Sequence, residues 1–205
     1  PLPQGTMRTA IVPTLTSFLL ATTAAAQGAW LKQSPATVPP ARAMAGLAGM
    51  LLQNKSVLFG GEIAENAASL NDTWTWDGSN WTQLTITGPQ PLEGFVMEYD
   101  TVRDRVVLFS GWNGGQYVQQ TWEFDGAAWT QAQPVTSPPG RDWAAGAYDV
   151  GSGNMVIFGG HDWQVPGGVV GDTWTWDGTN WTNHAVTGPT ARWGHAMAFD
   201  PVRNT

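Results

Sequence analysis

Eight residues of this chain combine side-chain types that could bind a ligand. They pair indole rings with charged or imidazole groups, and they are Trp112, Trp143, Trp163, Trp193, Arg141, Arg192, His161 and Asp162. Indole rings stack on flat apolar surfaces such as the C–H faces of sugars, while Arg, Asp and His hydrogen-bond to polar groups. This mixture predicts a site for a glycan or a peptide. The alternative is that the tryptophans close the ends of structural units and that the arginines pair with carboxylates of the chain.

Residue types that support catalysis are scarce. The chain has no Cys, which excludes disulfides, thiolate metal sites and a Cys nucleophile within these 205 residues. Its histidines, His161, His184 and His195, are not at metal-ligand spacing, and no Gly-x-Ser-x-Gly, P-loop or His-Glu-x-x-His pattern occurs. We predict no cofactor, no metal and no catalytic residue here, although His161 and Asp162 could form a base or metal corner if the fold brings His195 beside them.

The net charge of the chain disfavours some classes of binding partner. The formal net charge is −7, and Lys32 and Lys55 are the only lysines. Without a basic run to neutralise phosphates, we predict no nucleic-acid partner. An anionic membrane surface would repel the chain as well.

Three landmarks recur with a period near 50 residues. Phe59, Phe109 and Phe158 follow one another at intervals of 50 and 49 residues. The aromatic string DTWTWDGSNWT at 72–82 returns as QTWEFDGAAWT at 120–130 and as DTWTWDGTNWT at 172–182. An aromatic residue followed by Asp closes the strings VMEYD, AGAYD and AMAFD at 96–100, 145–149 and 196–200.

Each repeat contains four short apolar runs separated by turn residues, which predicts four strands. In the third repeat we place them at Ala144–Tyr148, Met155–Phe158, Thr173–Trp176 and Trp181–Asn183. The dipeptide Asp-Gly between the last two favours a tight hairpin. Four strands in about 50 residues is the pattern of a propeller blade.

The paired glycines after an apolar strand, LFGG and IFGG, followed by a long loop and an aromatic strand, resemble kelch repeats. The form GDTWTWDG resembles the kelch-like propellers of exported bacterial proteins, which are related to the central domain of galactose oxidase. The resemblance covers residues 29–205 and implies an all-β, kelch-type β-propeller. It does not carry over the oxidase site, because this stretch lacks the Cys that the Tyr–Cys cross-link of that site requires.

The residues that repeat are interpreted as structural. Large flat side chains fill the space between neighbouring blades, which predicts packing roles for Trp76, Trp81, Trp122, Trp129, Trp176 and Trp181. Glycines that follow the second strand are interpreted as blade turns, and these are Gly60, Gly61, Gly159 and Gly160.

The chain divides into three segments by composition. Residues 1–6 are interpreted as sequence upstream of the true start, and 7–26 as a signal peptide with a short positive region, an apolar region and Ala-Ala-Ala before the cleavage point. Residues 27–205 are the propeller, predicted to begin with a closing fourth strand at Trp30–Gln33 and to be truncated after the first strand of a fourth blade. This organisation predicts a secreted, periplasmic or cell-surface protein with no membrane insertion after cleavage.

Taken together, the sequence favours an exported, non-catalytic binding scaffold that recognises a glycan or an extracellular peptide or protein. The alternative is an enzyme, either an oxidase of the galactose oxidase type or a glycan hydrolase or lyase. Its key residues would have to lie downstream of Thr205.

Overall fold

Alternating apolar residues form twelve strands in the computed structural model, which describes residues 32–64 and 68–203. The strands of the first sheet are β1 (Gly46–Met50), β2 (Lys55–Phe59), β3 (Thr73–Trp76) and β4 (Trp81–Leu84). Those of the second are β5 (Val96–Asp100), β6 (Arg105–Phe109), β7 (Thr121–Phe124) and β8 (Trp129–Ala132). Those of the third are β9 (Ala145–Asp149), β10 (Asn154–Phe158), β11 (Thr173–Trp176) and β12 (Trp181–His184).

Each sheet is a four-stranded antiparallel meander in chain order, as a propeller blade requires. The strands predicted for the third repeat match the structure to within one residue at each end. A single 3-10 turn, Leu51–Gln53, is the only helical element among the described residues. The all-β architecture with three complete four-stranded blades is therefore confirmed.

The Asp-Gly turn explains why the third and fourth strands of a blade pair in the same register each time. Trp76 lies opposite Trp81, Phe124 opposite Trp129 and Trp176 opposite Trp181. In the first blade, the Asp77 carboxylate accepts the backbone N–H groups of Ser79 at 2.7 Å and Asn80 at 2.8 Å. A side chain that caps the turn in this way fixes the loop length and with it the strand register.

Tryptophans that open the fourth strand join neighbouring blades. The Trp129 indole N–H donates to the Thr73 hydroxyl of the first blade at 3.0 Å, and its ring lies 5.3 Å from that of Phe59. The Trp181 indole N–H donates to the Thr121 hydroxyl of the second blade at 2.8 Å, with Phe109 at 4.8 Å. Each contact is buried, so the same hydrogen bond and aromatic pair hold both interfaces between blades.

First strands of the three blades face a common cavity of about 500 Å³, which residues 197–199 also line. Its walls are mostly apolar, with Leu47, Ala147, Val150 and Phe199 among them. Glu98 of β5 is the only charged residue among the described residues that line it. Burial raises the pKa of this carboxyl to about 7.

The fourth repeat does not form its predicted first strand. Residues 196–200 pair with no other strand among the described residues, and backbone pairing is what turns an extended segment into a strand. The turn that follows has nevertheless the form seen in the second blade, because Asp200 accepts the N–H groups of Val202 and Arg203 as Asp100 accepts those of Val102 and Arg103.

Several sequence predictions lie outside the described residues. These are the upstream segment 1–6, the leader 7–26 and the start of the predicted closing strand, Trp30 and Leu31. Where that strand was predicted to continue, Gln33 is not in a strand. A search of the described residues for a helix with the length and apolar character of a membrane span finds none.

Candidate ligand-binding site

One face of the molecule collects the loop after each second strand and the segment before each first strand. Short backbone bridges join the two in every blade, between Ala43 and Glu62, Glu93 and Trp112, and Asp142 and His161. The antiparallel meander puts both segments at the same end of each sheet. Residues placed here therefore share a surface although they lie far apart in sequence.

A hydrogen-bonded chain of backbone groups links the blades at this face. The N–H of Gly94 donates to the carbonyl of Met44 at 3.2 Å, that of Trp143 to Gly94 at 2.8 Å, and that of Gly194 to Trp143 at 2.9 Å. All four residues occupy the left-handed region, with φ of 56°, 64°, 53° and 65° for Met44, Gly94, Trp143 and Gly194. The position requires this conformation whichever side chain it carries.

Six aromatic rings meet at this face, and we call them the aromatic mouth: Trp112, Tyr117, Trp143, His161, Trp163 and Trp193. Ring centroids are 5.1 Å apart for Trp112 and Tyr117, and 4.2 Å apart for His161 and Trp163. Trp193 lies 5.9 Å from His161 and 6.3 Å from Trp143. The predicted tryptophans are thus brought together, with His161 at the centre.

The three tryptophans on the outside of the aromatic mouth are open to solvent. Trp163 is 73% exposed, Trp193 54% and Trp143 37%. Most other tryptophans of the described residues are buried between or within blades. Exposed indoles in contact with one another form an apolar patch, which in proteins marks a binding surface more often than a single exposed ring does.

Trp143 occupies a backbone conformation that favours glycine. At the equivalent positions of the neighbouring repeats the chain has Gly94 and Gly194. A bulky residue at positive φ costs about 1–2 kcal/mol relative to its usual conformation. Because glycine would remove that cost, the indole at this position points to a use for the side chain itself.

His161 is held in place by its neighbours. Its Nδ1 lies 2.9 Å from the Tyr117 hydroxyl and 3.6 Å from Oδ1 of Asp142. Its backbone N–H donates to the Asp142 carbonyl at 2.8 Å. Gly168, with φ of 72°, packs so closely that a Cβ there would lie 2.6 Å from Nε2 of the imidazole. These contacts hold the imidazole of His161 in place, where it also touches the rings of Trp163 and Trp193.

Carboxyl groups whose pKa is affected by burial and by one another lie near His161. Burial raises the pKa of Asp142 to about 6, while the charge of His161 acts in the opposite direction, and Oδ1 of Asp142 has no hydrogen-bond partner among the described residues. Burial also raises the pKa of Glu93, and the negative charge of Glu62 adds to it, although the Ser69 hydroxyl donates to the Glu93 carboxylate at 3.2 Å. Burial and the charge of Asp142 together raise the pKa of Tyr117.

Arg141 was predicted to hydrogen-bond a ligand, and the geometry gives it a structural position instead. The side chain is 1% exposed. Its guanidinium forms a two-pronged pair with Asp172, at 2.5 and 3.0 Å, and also donates to the carbonyls of Pro139 and Gly159. Four of the five N–H donors of an arginine are then engaged within the blade, so we remove Arg141 from the proposed ligand-binding set.

Asp162 and Arg192 differ in what they offer. Asp162 is buried and its carboxylate accepts the N–H of Gln164 at 2.9 Å, which shapes the loop that presents Trp163. Arg192 is exposed, and its guanidinium donates only to the carbonyl and hydroxyl of Thr190 among the described residues. Arg192 is thus exposed beside Trp193 at the edge of the aromatic mouth, and Asp162 supports the loop of Trp163 from inside.

The predicted corner of His161, Asp162 and His195 does not form. The His195 ring packs on Phe158 at 5.5 Å, and both its nitrogens are buried without a hydrogen-bond partner among the described residues. Burial, with a contribution from Arg192, lowers the pKa of His195. No group of three or more His, Cys, Asp or Glu residues suited to a metal ion occurs in the part of the chain that the structure describes.

Sequence reasoning did not assign Tyr117 or Glu93 to this face, and it placed Asp142 there without a role in binding. Tyr117 bridges to Trp112 as Val169 bridges to His161, so aligning the two long loops by their bridge positions would have found it. Glu93 and Asp142 share the position before the left-handed residue with Ala43 and Trp193. The residue type at this position varies between repeats, whereas the backbone conformation of the residue that follows it does not.

Comparison with known families supports the same architecture. The model of the KLHDC2/KLHL20/DRC7 Kelch-repeats domain matches residues 14–203. Repeats of this kind typically mediate protein binding. No curated protein sequence matches the chain.

Proposed function

Because the chain belongs to the kelch-repeat family, we propose that it is a non-catalytic scaffold that binds a peptide segment of another protein at the aromatic mouth. The observation that carries this proposal is that exposed Trp163 and Trp193 both contact His161, while Trp193 also contacts exposed Trp143. Tryptophan is over-represented among the residues that dominate binding energy at protein interfaces. A rigid platform also lowers the entropy that binding must overcome.

The frame beneath the mouth supports a preformed site. The left-handed backbone chain through Gly94 and Trp143 ties neighbouring blades together, and the bridge between Asp142 and His161 ties loop to strand. A partner would meet indoles whose positions are already fixed. We therefore expect binding with little change in backbone conformation.

The proposal is tested by presenting the protein to a random peptide library and measuring the affinity of the selected peptides. We expect replacement of both Trp163 and Trp193 by Ala to weaken binding by about 30-fold or more, since a dominant interface residue contributes about 2 kcal/mol or more. Val135→Ala is the control, because Val135 is 98% exposed in the linker between β8 and β9. Unchanged affinity in the double Trp variant would rule out the aromatic mouth as the binding site.

A glycan is the second candidate, favoured by the open faces of Trp163 and Trp193. The same pair of variants is applied to a glycan array. Binding of glycans but not of peptides, lost in the double Trp variant and kept in Val135→Ala, would replace the peptide by a sugar as the ligand.

Export is part of the proposal and rests on the sequence of residues 7–26. It is tested by expressing the chain with this leader in a bacterial host and determining the N-terminal residue of the purified protein by mass spectrometry. Cleavage near Gln27 with recovery outside the cytoplasm is the expected result. An intact leader on cytoplasmic protein would contradict it.

A further inference from the structure

Carboxylates lie beside two tryptophans of the aromatic mouth, exposed Trp143 and partly buried Trp112. Asp142 precedes Trp143, and Glu93 pairs through its backbone with Trp112. In addition to burial, the negative charge of Glu62 raises the pKa of Glu93, and that of Glu93 raises the pKa of Asp142. The three carboxylates are therefore close enough to give this face a negative electrostatic potential. Arg192 is the exposed cation at the edge, whereas the guanidiniums of Arg42 and Arg141 are buried against Asp72 and Asp172.

Asp142 is held in an arrangement that leaves part of its hydrogen-bonding capacity unused. Its Oδ1 is buried and has no partner among the described residues, and the nearest basic nitrogen, Nδ1 of His161, lies at 3.6 Å. That nitrogen is already 2.9 Å from the Tyr117 hydroxyl. A buried carboxylate without enough donors is unfavourable by itself and gains strongly from a cation that reaches it.

Aromatic faces around a carboxylate are the surroundings that attract an organic cation. The ring quadrupole draws ammonium and guanidinium groups to within about 6 Å of an indole centre. Trp143 and Trp193 are in contact and both are open to solvent. An anionic side chain would be repelled by Asp142 and Glu93, an apolar one would leave Oδ1 of Asp142 without a donor, and a neutral donor would leave the negative charge uncompensated.

We infer that the peptide bound at the aromatic mouth places a cationic side chain, Arg or Lys, against the exposed rings of Trp143 and Trp193 and pairs it with Asp142. This inference rests on the proposed function, since it specifies what the peptide must carry. The cation stacks on the indoles while its N–H groups supply the donors that Asp142 lacks. Glu93 adds to the attraction from the neighbouring blade.

The inference is tested with peptides selected from a random 12-residue library against the full chain. We expect the selected peptides to share an Arg or Lys at one position. Replacing that residue by citrulline or norleucine, which keep most of the shape of Arg or Lys and lose the charge, should weaken binding about 10-fold or more. In Asp142→Asn the same replacement should change affinity less than about twofold, and Glu93→Gln should give an intermediate effect.

The pH dependence of peptide affinity provides a second measurement. Protonation of Asp142 removes the negative charge, so affinity for the basic peptide should fall as the pH is lowered from 7.5 to 5. The charged or titratable groups that act on Asp142 are His161, whose Nδ1 lies 3.6 Å from Oδ1, and Glu93. The decline should therefore be smaller in Asp142→Asn, and it should be absent for the citrulline or norleucine peptide.

Each outcome decides between the two proposals. Selected peptides that carry no basic residue, or that tolerate the neutral replacement in the wild-type protein, would overturn the cationic side chain and leave peptide binding in place. Failure to select any peptide that discriminates wild type from the double Trp variant would overturn both. If Asp142→Asn loses its circular dichroism spectrum, Glu93→Gln and the salt dependence of wild-type binding decide, because an ion pair weakens as salt is added.

Discussion

Glu98 is the charged side chain of the cavity between the first strands, and its environment favours the neutral acid. Burial raises its pKa to about 7 in the folded protein, above the value of an unfolded chain. Between these two values the folded state holds a proton that the unfolded state releases, so this group's contribution to stability is lost as the pH rises towards 7. We predict that Glu98→Gln stabilises the protein at pH 8 by about 1–2 kcal/mol, allowing for solvent screening at a partly buried site. Unfolding midpoints in urea at pH 4 and pH 8 measure this; an equal effect at both would refute the charge explanation.

Arg141 and Arg192 occupy one repeat position and differ in burial, which makes them a matched pair. Burial alone would raise the pKa of Asp172, but hydrogen bonds and charge from Arg141 hold it below its usual range. Arg141→Ala leaves the carboxylate of Asp172 without its cationic partner and should lower the free energy of unfolding by about 3 kcal/mol. Arg192→Ala, which breaks no ion pair among the described residues, should change it by less than about 0.5 kcal/mol. Equal losses in urea unfolding would show that the pair with Asp172 is not what stabilises the blade.

At the scale of the strands, the fourth strand is the element that fastens one blade to the next. Trp181→Phe replaces the buried indole by a smaller ring and removes the N–H that donates to Thr121, so we expect a loss of about 1–2 kcal/mol from the hydrogen bond and a further loss from the unfilled space. Trp81 opens the corresponding strand of the first blade and is partly exposed, and its indole N–H donates to no group among the described residues. Trp81→Phe should therefore be nearly neutral. A similar loss for both variants in denaturant unfolding would mean that ring size, not the hydrogen bond, sets the strength of the interface.

The elements also show what the sequence could and could not predict. Aromatic alternation and Asp-Gly turns were enough for the strands and their register, because both depend on neighbouring residues. The repeated aspartates could be interpreted as turn caps or as partners of Arg, but only the packing of the blade selects Asp172 for Arg141, 31 positions away. The same holds for Tyr117 and Asp142, which meet at His161 through bridges between separate segments. Residues 196–200 have the composition of a strand, but a strand exists only with a partner.

Over the whole molecule, stability passes from blade to blade through repeated contacts, as in other repeat proteins. The second blade has a neighbour on both sides, and its β6 strand has four of five residues buried. We predict that amides of Arg105–Phe109 exchange with deuterium more slowly than those of Lys55–Phe59 or Asn154–Phe158. Mass spectrometry of exchanged peptides measures the order. Uniform protection across the three blades would show that they open together instead of one at a time.

The left-handed backbone position shared by Met44, Gly94, Trp143 and Gly194 has a consequence for how such a surface can change. Every blade presents this position to the same face with the same conformation, and the three residue types found there leave the hydrogen bonds between blades in place. The backbone frame is kept while the side chain differs from blade to blade: a Cβ at Gly194 would meet no atom of the described residues within 4 Å, whereas one at Gly94 would lie 3.2 Å from Cβ of Asp142. Recognition can then be rewritten one blade at a time, by selection or by design, on a scaffold that does not need to be rebuilt.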